Sequence, residues 1–344
     1  MTKFSSALLI RIYTENVILY SKSMRFIFVL MAVLSMALTD YASAESVNTK
    51  NFVYLFSFFR DNGQDGLYLA WSRDGLKWSE ITPPGKSFLA PTVGGKIMRD
   101  PCLRRGPDGT FRLVWTTGWA RPSVFGYACS TNLIDWSDVK AVPVMENEAQ
   151  ARNVWAPELF YDTNERKWLI FWASTIPGRF PETDKTGDDG YNHRIYYTAT
   201  DNFQNFTPTG LFFNDGFNVI DATLIGAKGK YYLIVKDETL KPVKKNLRIS
   251  VSKSPEGPFK SAGSPFTTNW VEGPSAIQIG NHFYVYFDHY TNPQYYGAME
   301  STDMEHWTDV SEKVSFPKGT RHGTALAVPE SVVQNLIQPV SSGH

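Results

Sequence analysis

Short apolar, aromatic-rich runs return along this chain in a fixed order. One type reads Val53-Tyr-Leu-Phe-Ser-Phe-Phe59. It returns as Phe111-Arg-Leu-Val-Trp115, Trp168-Leu-Ile-Phe-Trp172, Tyr231-Tyr-Leu-Ile-Val235 and Phe283-Tyr-Val-Tyr-Phe287. A second type reads Gly66-Leu-Tyr-Leu-Ala-Trp-Ser72. It returns as Phe125-Gly-Tyr-Ala-Cys-Ser130, Arg194-Ile-Tyr-Tyr-Thr-Ala-Thr200, Leu247-Arg-Ile-Ser-Val-Ser252 and Tyr296-Gly-Ala-Met-Glu-Ser301. Each pair ends in a turn closed by an aromatic residue: Trp78, Trp136, Phe206, Phe259 and Trp307, spaced 58, 70, 53 and 48 residues apart.

Runs this short, rich in β-branched and aromatic residues, predict strands rather than helices. Five copies of about 55 residues predict an all-β array. Four-stranded blades around an axis hide the sheet edges, which a linear array would leave exposed. The copy carrying Trp78 lacks an innermost strand in front of it, and the chain end offers one in Arg321-His-Gly-Thr-Ala-Leu-Ala-Val328. The expectation is a five-bladed β-propeller over residues 45–344, with its core at 51–329, closed by that C-terminal strand pairing with the first blade. A β-sandwich is the alternative. The longest interval owes its excess to Ile176–His193, rich in Pro, Gly, Asp and Thr, which predicts a loop and a candidate substrate contact.

Three acids stand just ahead of these strands: Asp100 in Arg99-Asp-Pro-Cys, Asp221 in Val219-Ile-Asp-Ala-Thr, and Glu272 in Val271-Glu-Gly-Pro-Ser. They precede Phe111, Tyr231 and Phe283 by 11, 10 and 11 residues. Singly, Asp100 and Glu272 read as turn residues beside proline or glycine. In a closed ring, matching positions converge on the axis. Acids gathered in one pocket acquire shifted pKa values, which glycosidic bond cleavage requires. Asp61 and Asp65 are rivals for Asp100, in what reads as a solvated hairpin.

Charge changes the picture by exclusion. Lys plus Arg equals Asp plus Glu at 34 each, and no basic patch suggests a nucleic-acid partner. A leader is legible from Met24: a positive residue, an apolar run, then an Ala-Ser-Ala exit at Ala44. Residues 24–44 therefore read as a signal peptide and 1–23 as a non-native extension ahead of the true start. A secreted or periplasmic protein without stable membrane association follows; an uncleaved anchor is the alternative. Cys102 and Cys129 fall on the first and third strands of one blade, about 10 Å apart, too far to bridge. Two free thiols are expected. No Cys/His spacing suggests zinc.

With these motifs in hand, the chain resembles glycoside hydrolase family 43, the five-bladed propeller arabinofuranosidases and xylosidases. The matching motifs come in that family's order: Arg99-Asp100-Pro101, Trp155-Ala156-Pro157-Glu158, Ile220-Asp221, Glu272-Gly273-Pro274 and His322 on the closing strand. The resemblance implies an inverting hydrolysis with Asp100 as general base, Glu272 as general acid, and Asp221 orienting the acid and keeping it protonated near neutral pH. The two catalytic carboxyls should then stand about 6.5–9.5 Å apart. It also implies a sugar wall at Trp155 and Trp119, and axial contacts from Arg321 and His322. The family's histidine commonly contacts water around a central cation, so a structural calcium near His322 is a candidate, with no cofactor required. The implied partner is a carbohydrate, foremost a terminal α-L-arabinofuranosyl residue, with β-D-xylosyl and β-D-galactofuranosyl as alternatives. Related propellers offer a retaining β-fructosidase layout, whose Asn-Asp-Pro nucleophile motif does not occur here, and a family-117-like hydrolase of algal galactans. A non-catalytic glycan-binding propeller is the reading from another class.

Overall fold

The middle strands are apolar on both faces because each blade is packed on both sides. The computed structural model describes residues 52–121 and 123–337, so the expected extension 1–23 and leader 24–44 lie outside the described residues. Blade I contains β1 (Phe52–Phe59), β2 (Tyr68–Ser72) and β3 (Ser79–Ile81). Blade II contains β4 (Arg99–Arg105), β5 (Phe111–Thr116), β6 (Val124–Ser130) and β7 (Ser137–Pro143). Blade III contains β8 (Trp155–Asp162), β9 (Lys167–Thr175), β10 (His193–Thr200) and β11 (Gly210–Phe213). Blade IV contains β12 (Val219–Ala227), β13 (Lys230–Asp237) and β14 (Asn246–Ser252). Blade V contains β15 (Val271–Ile279), β16 (His282–His289), β17 (Tyr295–Ser301) and β18 (Thr308–Asp309). The final strand, β19 (Arg321–Pro329), pairs antiparallel with β1 and completes blade I. This is the expected five-bladed propeller with the expected closure. The helix α1 (Glu330–Ile337), which follows directly, had no counterpart in the repeat.

Side-chain alternation sorts the core into packets between blades. Along β1, Val53 and Leu55 join the packet shared with Leu103, Leu113 and Trp115 of blade II, whereas Phe56 and Phe58 join one shared with Tyr284, Tyr286 and Tyr296 of blade V. Blades II and III meet through Val114, Phe125, Trp168 and Trp172. Blades III and IV meet through Phe171, Leu224 and Leu233, and IV and V through Ile234, Leu247, Val285 and Phe287.

The turn before four of the five aromatics, all but Phe259, has one local cause. Ser72, Ser130, Thr200 and Ser301 accept hydrogen bonds at their hydroxyl oxygens from the backbone N–H groups of Gly75, Leu133, Phe203 and Met304. Asp74, Asn132, Asn202 and Asp303, two residues after each hydroxyl, accept from the next backbone donors. Such side chains replace missing backbone partners and tolerate the left-handed residue that follows.

Blade IV departs from the expected four strands. Its outer segment follows β14 through three backbone bonds, from the N–H groups of Lys260, Gly263 and Phe266 to Val251, Ile249 and Leu247. Pro255, Pro258 and Pro265 deny it a regular ladder. Cys102 on β4 and Cys129 on β6 are free thiols, as expected. Burial pushes the Cys102 thiol well up, so it stays protonated and donates to Glu158 Oε2 at 3.3 Å.

Candidate active site

Every inner strand bulges at the same end. The register slips by one residue after Arg99, Trp155, Ile220, Glu272 and Arg321. The residues that follow in four of these strands take left-handed backbone: Asp100 at φ 52°, Ala156 at 48°, Asp221 at 50° and Gly273 at 58°. Bulges of this kind re-aim a side chain. Asp100 and Asp221 are therefore equivalent positions, but Glu272 is equivalent to Arg99, Trp155 and Arg321, one residue earlier. The reading of three acids at matching positions is corrected for Glu272, and Gly273 explains why. A Cβ there would lie 2.5 Å from Cγ of His322, so the bulge position on blade V admits only glycine and the acid moves to its neighbour.

The bulges surround a cavity of about 450 Å³ lined by Asp100, Asp221, Glu272, His322, Trp119 and Trp155, among others. This volume suits a small-molecule site. A larger groove of about 1080 Å³ runs along Tyr295 and residues 309–320, and none of these acids lines it. Asp61 is exposed, and Asp65 is paired with Lys86 at 2.6 Å; neither lines the cavity with the acids.

Asp100 is held by three groups. Thr116 Oγ1 donates to its Oδ2 at 2.7 Å, and His322 Nδ1 lies 3.2 Å from Oδ1. Burial opposes its charge, but the His322 charge and hydrogen bond, the Arg99 charge and the Thr116 hydroxyl outweigh it, and the carboxyl is pulled down to about 2. Thr116 is in turn fixed by the backbone N–H of Ala156 at 2.8 Å, so the Trp-Ala-Pro segment orients Asp100 through a residue that the sequence reading missed. His322 reciprocates. Burial disfavours its charge, yet Asp100, Asp221 and Glu272 raise it to about 9.

Asp221 and Glu272 come out in an order the sequence did not suggest. Burial raises Asp221 to about 6, with Glu272 and Asp100 adding to the effect against His322 and Lys236. For Glu272, burial also raises the carboxyl, but Lys236, Arg321 and His322 overcome it and bring it below the usual range. Lys236 Nζ is 3.1 Å from Oε2, and Arg321 Nη2 is 3.3 Å from Oε1. Lys236 and Arg321 thus favour the ionised form of Glu272, whereas burial opposes that of Asp221. Lys236 sits at the end of an apolar strand and left no motif.

Arg321 stands behind Glu272 rather than on the cavity wall, with its Nε 2.5 Å from Asp288 Oδ2. Trp119 is 50% exposed and rigidly held. Its Nε1 donates to Asn62 at 2.8 Å, the Arg99 guanidinium lies 4.2 Å above its ring, and Trp155 meets it edge-on at 5.8 Å. The loop flagged at 176–193 contributes Asp188, Asp189 and Tyr191 to the wall. It is pinned to blade IV by Lys245 Nζ–Asp188 Oδ2 at 2.6 Å and by the N–H of Leu240 on Thr186 O at 2.6 Å. Among the described residues, no group of three His, Cys, Asp or Glu side chains is placed to hold a metal ion directly.

Comparison with known proteins gives the arrangement a family. A family model described as "Probable glycosyl hydrolase domain", of glycoside hydrolase 43-related type, matches residues 50–333. An α-L-arabinofuranosidase of Bifidobacterium longum is 28% identical over 174 residues, which are 45% of this chain and 16% of that protein; the chain thus spans a small part of its relative's length. Among solved structures, a xylan β-1,4-xylosidase from Bacillus halodurans superposes with a TM-score of 0.51 at 15% identity, over 79% of this chain and 55% of that one. An α-L-arabinofuranosidase from Lactobacillus brevis gives 0.49 at 18% identity, over 62% and 72%. At this identity the likeness to the xylosidase concerns the fold alone.

Proposed function

We propose, from the premise that this chain belongs to the glycoside hydrolase 43-related family, that it removes a terminal glycosyl residue from oligo- or polysaccharides with inversion of configuration. One observation carries the reading: Asp100 and Glu272 line one cavity in unlike settings, Asp100 against His322 and Glu272 between Lys236 and Arg321, and a third acid, Asp221, lines the same cavity. Asp100, kept ionised by His322, is the base that takes a proton from the attacking water. Glu272 gives a proton to the leaving oxygen. Asp221, with its Oδ2 accepting from the Gly273 N–H at 3.1 Å, shares that proton with Glu272 and supplies it. Trp119 and Trp155 offer faces for sugar stacking. The pinned loop at 176–193 walls one side and favours a single terminal residue over an internal one.

The foremost substrate is a terminal α-L-arabinofuranosyl group, supported by the partial likeness to the Bifidobacterium longum enzyme. β-D-Xylosyl and β-D-galactofuranosyl groups are the alternatives, since furanose and pyranose differ by pocket shape. A protein exported through residues 24–44 would meet such glycans outside the cytoplasm.

Proton NMR of the anomeric signal at early times, with a panel of aryl pentosides and galactofuranosides, tests this directly. Release of an inverted sugar, lost in Glu272→Gln and Asp100→Asn, is the expected result. Release with retention overturns the assigned mechanism and points to a nucleophilic carboxylate. Glycan binding without hydrolysis in wild type and Glu272→Gln alike overturns the enzymatic reading.

A further inference from the structure

We propose that Lys236 is a positioning residue for proton delivery: its ammonium, buried between Glu272 and Glu238, fixes the Glu272 carboxyl and decides how the proton is divided between Glu272 and Asp221. The inference rests on the assignment of Glu272 as general acid. Strand β13 places Lys236 opposite Ile220, the residue before Asp221. The side chain is 3% exposed, with Nζ 3.1 Å from Glu272 Oε2, 2.7 Å from Glu238 Oε2 and 4.6 Å from the Tyr290 ring centroid. A buried ammonium costs several kcal/mol unless carboxylates surround it. The fold does not need one here: β13 otherwise packs through Leu233, Ile234 and Val235.

The other groups around Glu272 are matched elsewhere. Blade II brings Asp100, paired with His322 of β19. Arg321 of β19 is tied to Asp288 of β16. Asp221 of β12 bonds the Gly273 N–H, and blade V adds the phenols of Tyr290 and Tyr296. From blade IV come Lys236 and Glu238. Glu238 itself is shared, its Oε1 lying 2.5 Å from Lys245, which holds Asp188 of the loop. Lys236 is therefore the cation with an anchor on the cavity wall away from the catalytic acids. When a sugar hydroxyl enters beside Glu272, Lys236 can withdraw onto Glu238, and the carboxyl it releases takes the proton from Asp221. A cation within about 4–6 Å stabilises a carboxylate, and two coupled acids lose their protons as a pair.

The test is the pH dependence of kcat/KM on 4-nitrophenyl α-L-arabinofuranoside, beside infrared titration of the substrate-free protein. In Lys236→Met the alkaline limb should rise by about one pH unit. In Lys236→Arg it should stay near wild type. In Glu238→Gln it should fall, because Lys236 loses its second carboxylate and closes on Glu272. Without substrate, the protonated-carboxyl band absent from Glu272→Gln should grow in at higher pH in Lys236→Met than in wild type. An unmoved limb and band in Lys236→Met, or equal directions in Lys236→Met and Glu238→Gln, overturn the proposal. If Lys236→Met fails to fold, an unmoved limb in Glu238→Gln overturns it instead. The underlying assignment fails separately. If Glu272→Gln loses as much activity on a 2,4-dinitrophenyl glycoside as on the 4-nitrophenyl one, Glu272 is not the acid and both readings fall. A loss confined to the poorer leaving group, with the limb unmoved in Lys236→Met, removes only the role of Lys236.

Discussion

At the scale of single residues, the axial charges set how the protein responds to pH. His322 is raised to about 9, so its contribution to stability is complete below its unfolded pKa of about 6.5 and is lost as pH rises through 9. Asp100 is lowered to about 2, so its contribution is present above about 3.9 and is lost as pH falls through 2. The thermal midpoint should therefore decline between about pH 6.5 and 9, and His322→Asn should flatten that decline. An unchanged slope in the variant would show that the His322–Asp100 pair is not what titrates. Replacing Asp221 by Asn removes one negative charge beside Glu272, which leaves the acid to Lys236 and Arg321. The alkaline limb of kcat/KM should drop by about one pH unit or more, and a limb left in place would remove Asp221 from proton supply. Asp100, Asp221, Glu272 and Trp155 were legible because each sits in a short motif ahead of a strand. Lys236 and Thr116 were not. Lys236 reaches Glu272 and Thr116 takes the Ala156 N–H across blade boundaries, and nothing local in the chain marks such a contact.

At the scale of the element, the recurring turn and the bulged inner strand do most of the positioning. The turn was visible by its closing aromatic, but its mechanism lies in the hydroxyl and the Asp or Asn two residues later. Asn132→Ala deletes the acceptor for two backbone N–H groups, those of Ile134 and Asp135, and should cost about 1–2 kcal/mol in denaturant unfolding. An equal loss in Asn132→Asp would contradict that account, since the carboxylate keeps the acceptor. The bulge is stricter. Gly273→Ala puts a Cβ against the His322 ring at a left-handed φ, and should cost roughly 1–3 kcal/mol and activity together. A variant of wild-type stability and rate would mean that the bulge does not constrain the acid. Sequence spacing alone read Glu272 as the equal of Asp100, because counting residues to the next strand does not reveal which residue of a bulge turns inward.

At the scale of the whole molecule, closure ties the first described strand to the last. β19 pairs with β1 and carries Arg321 and His322, so the last strand both seals the ring and completes the site. Truncation after Lys318 should expose the inner edge of β1 and abolish cooperative unfolding along with activity. A truncated protein with a native-like transition would show that the ring does not depend on closure. The chain by itself determined the blade count, the strands and the closing partner. Those follow from short apolar, aromatic-rich runs repeated five times, and that pattern is local. Tertiary structure decided the electrostatics: which acid is lowered, which is raised and which lysine stands beside them. Charges interact through space and through burial, and the residues that neighbour Glu272 across the axis come from blades II, IV and V and from the closing strand, separated by up to 222 positions along the chain.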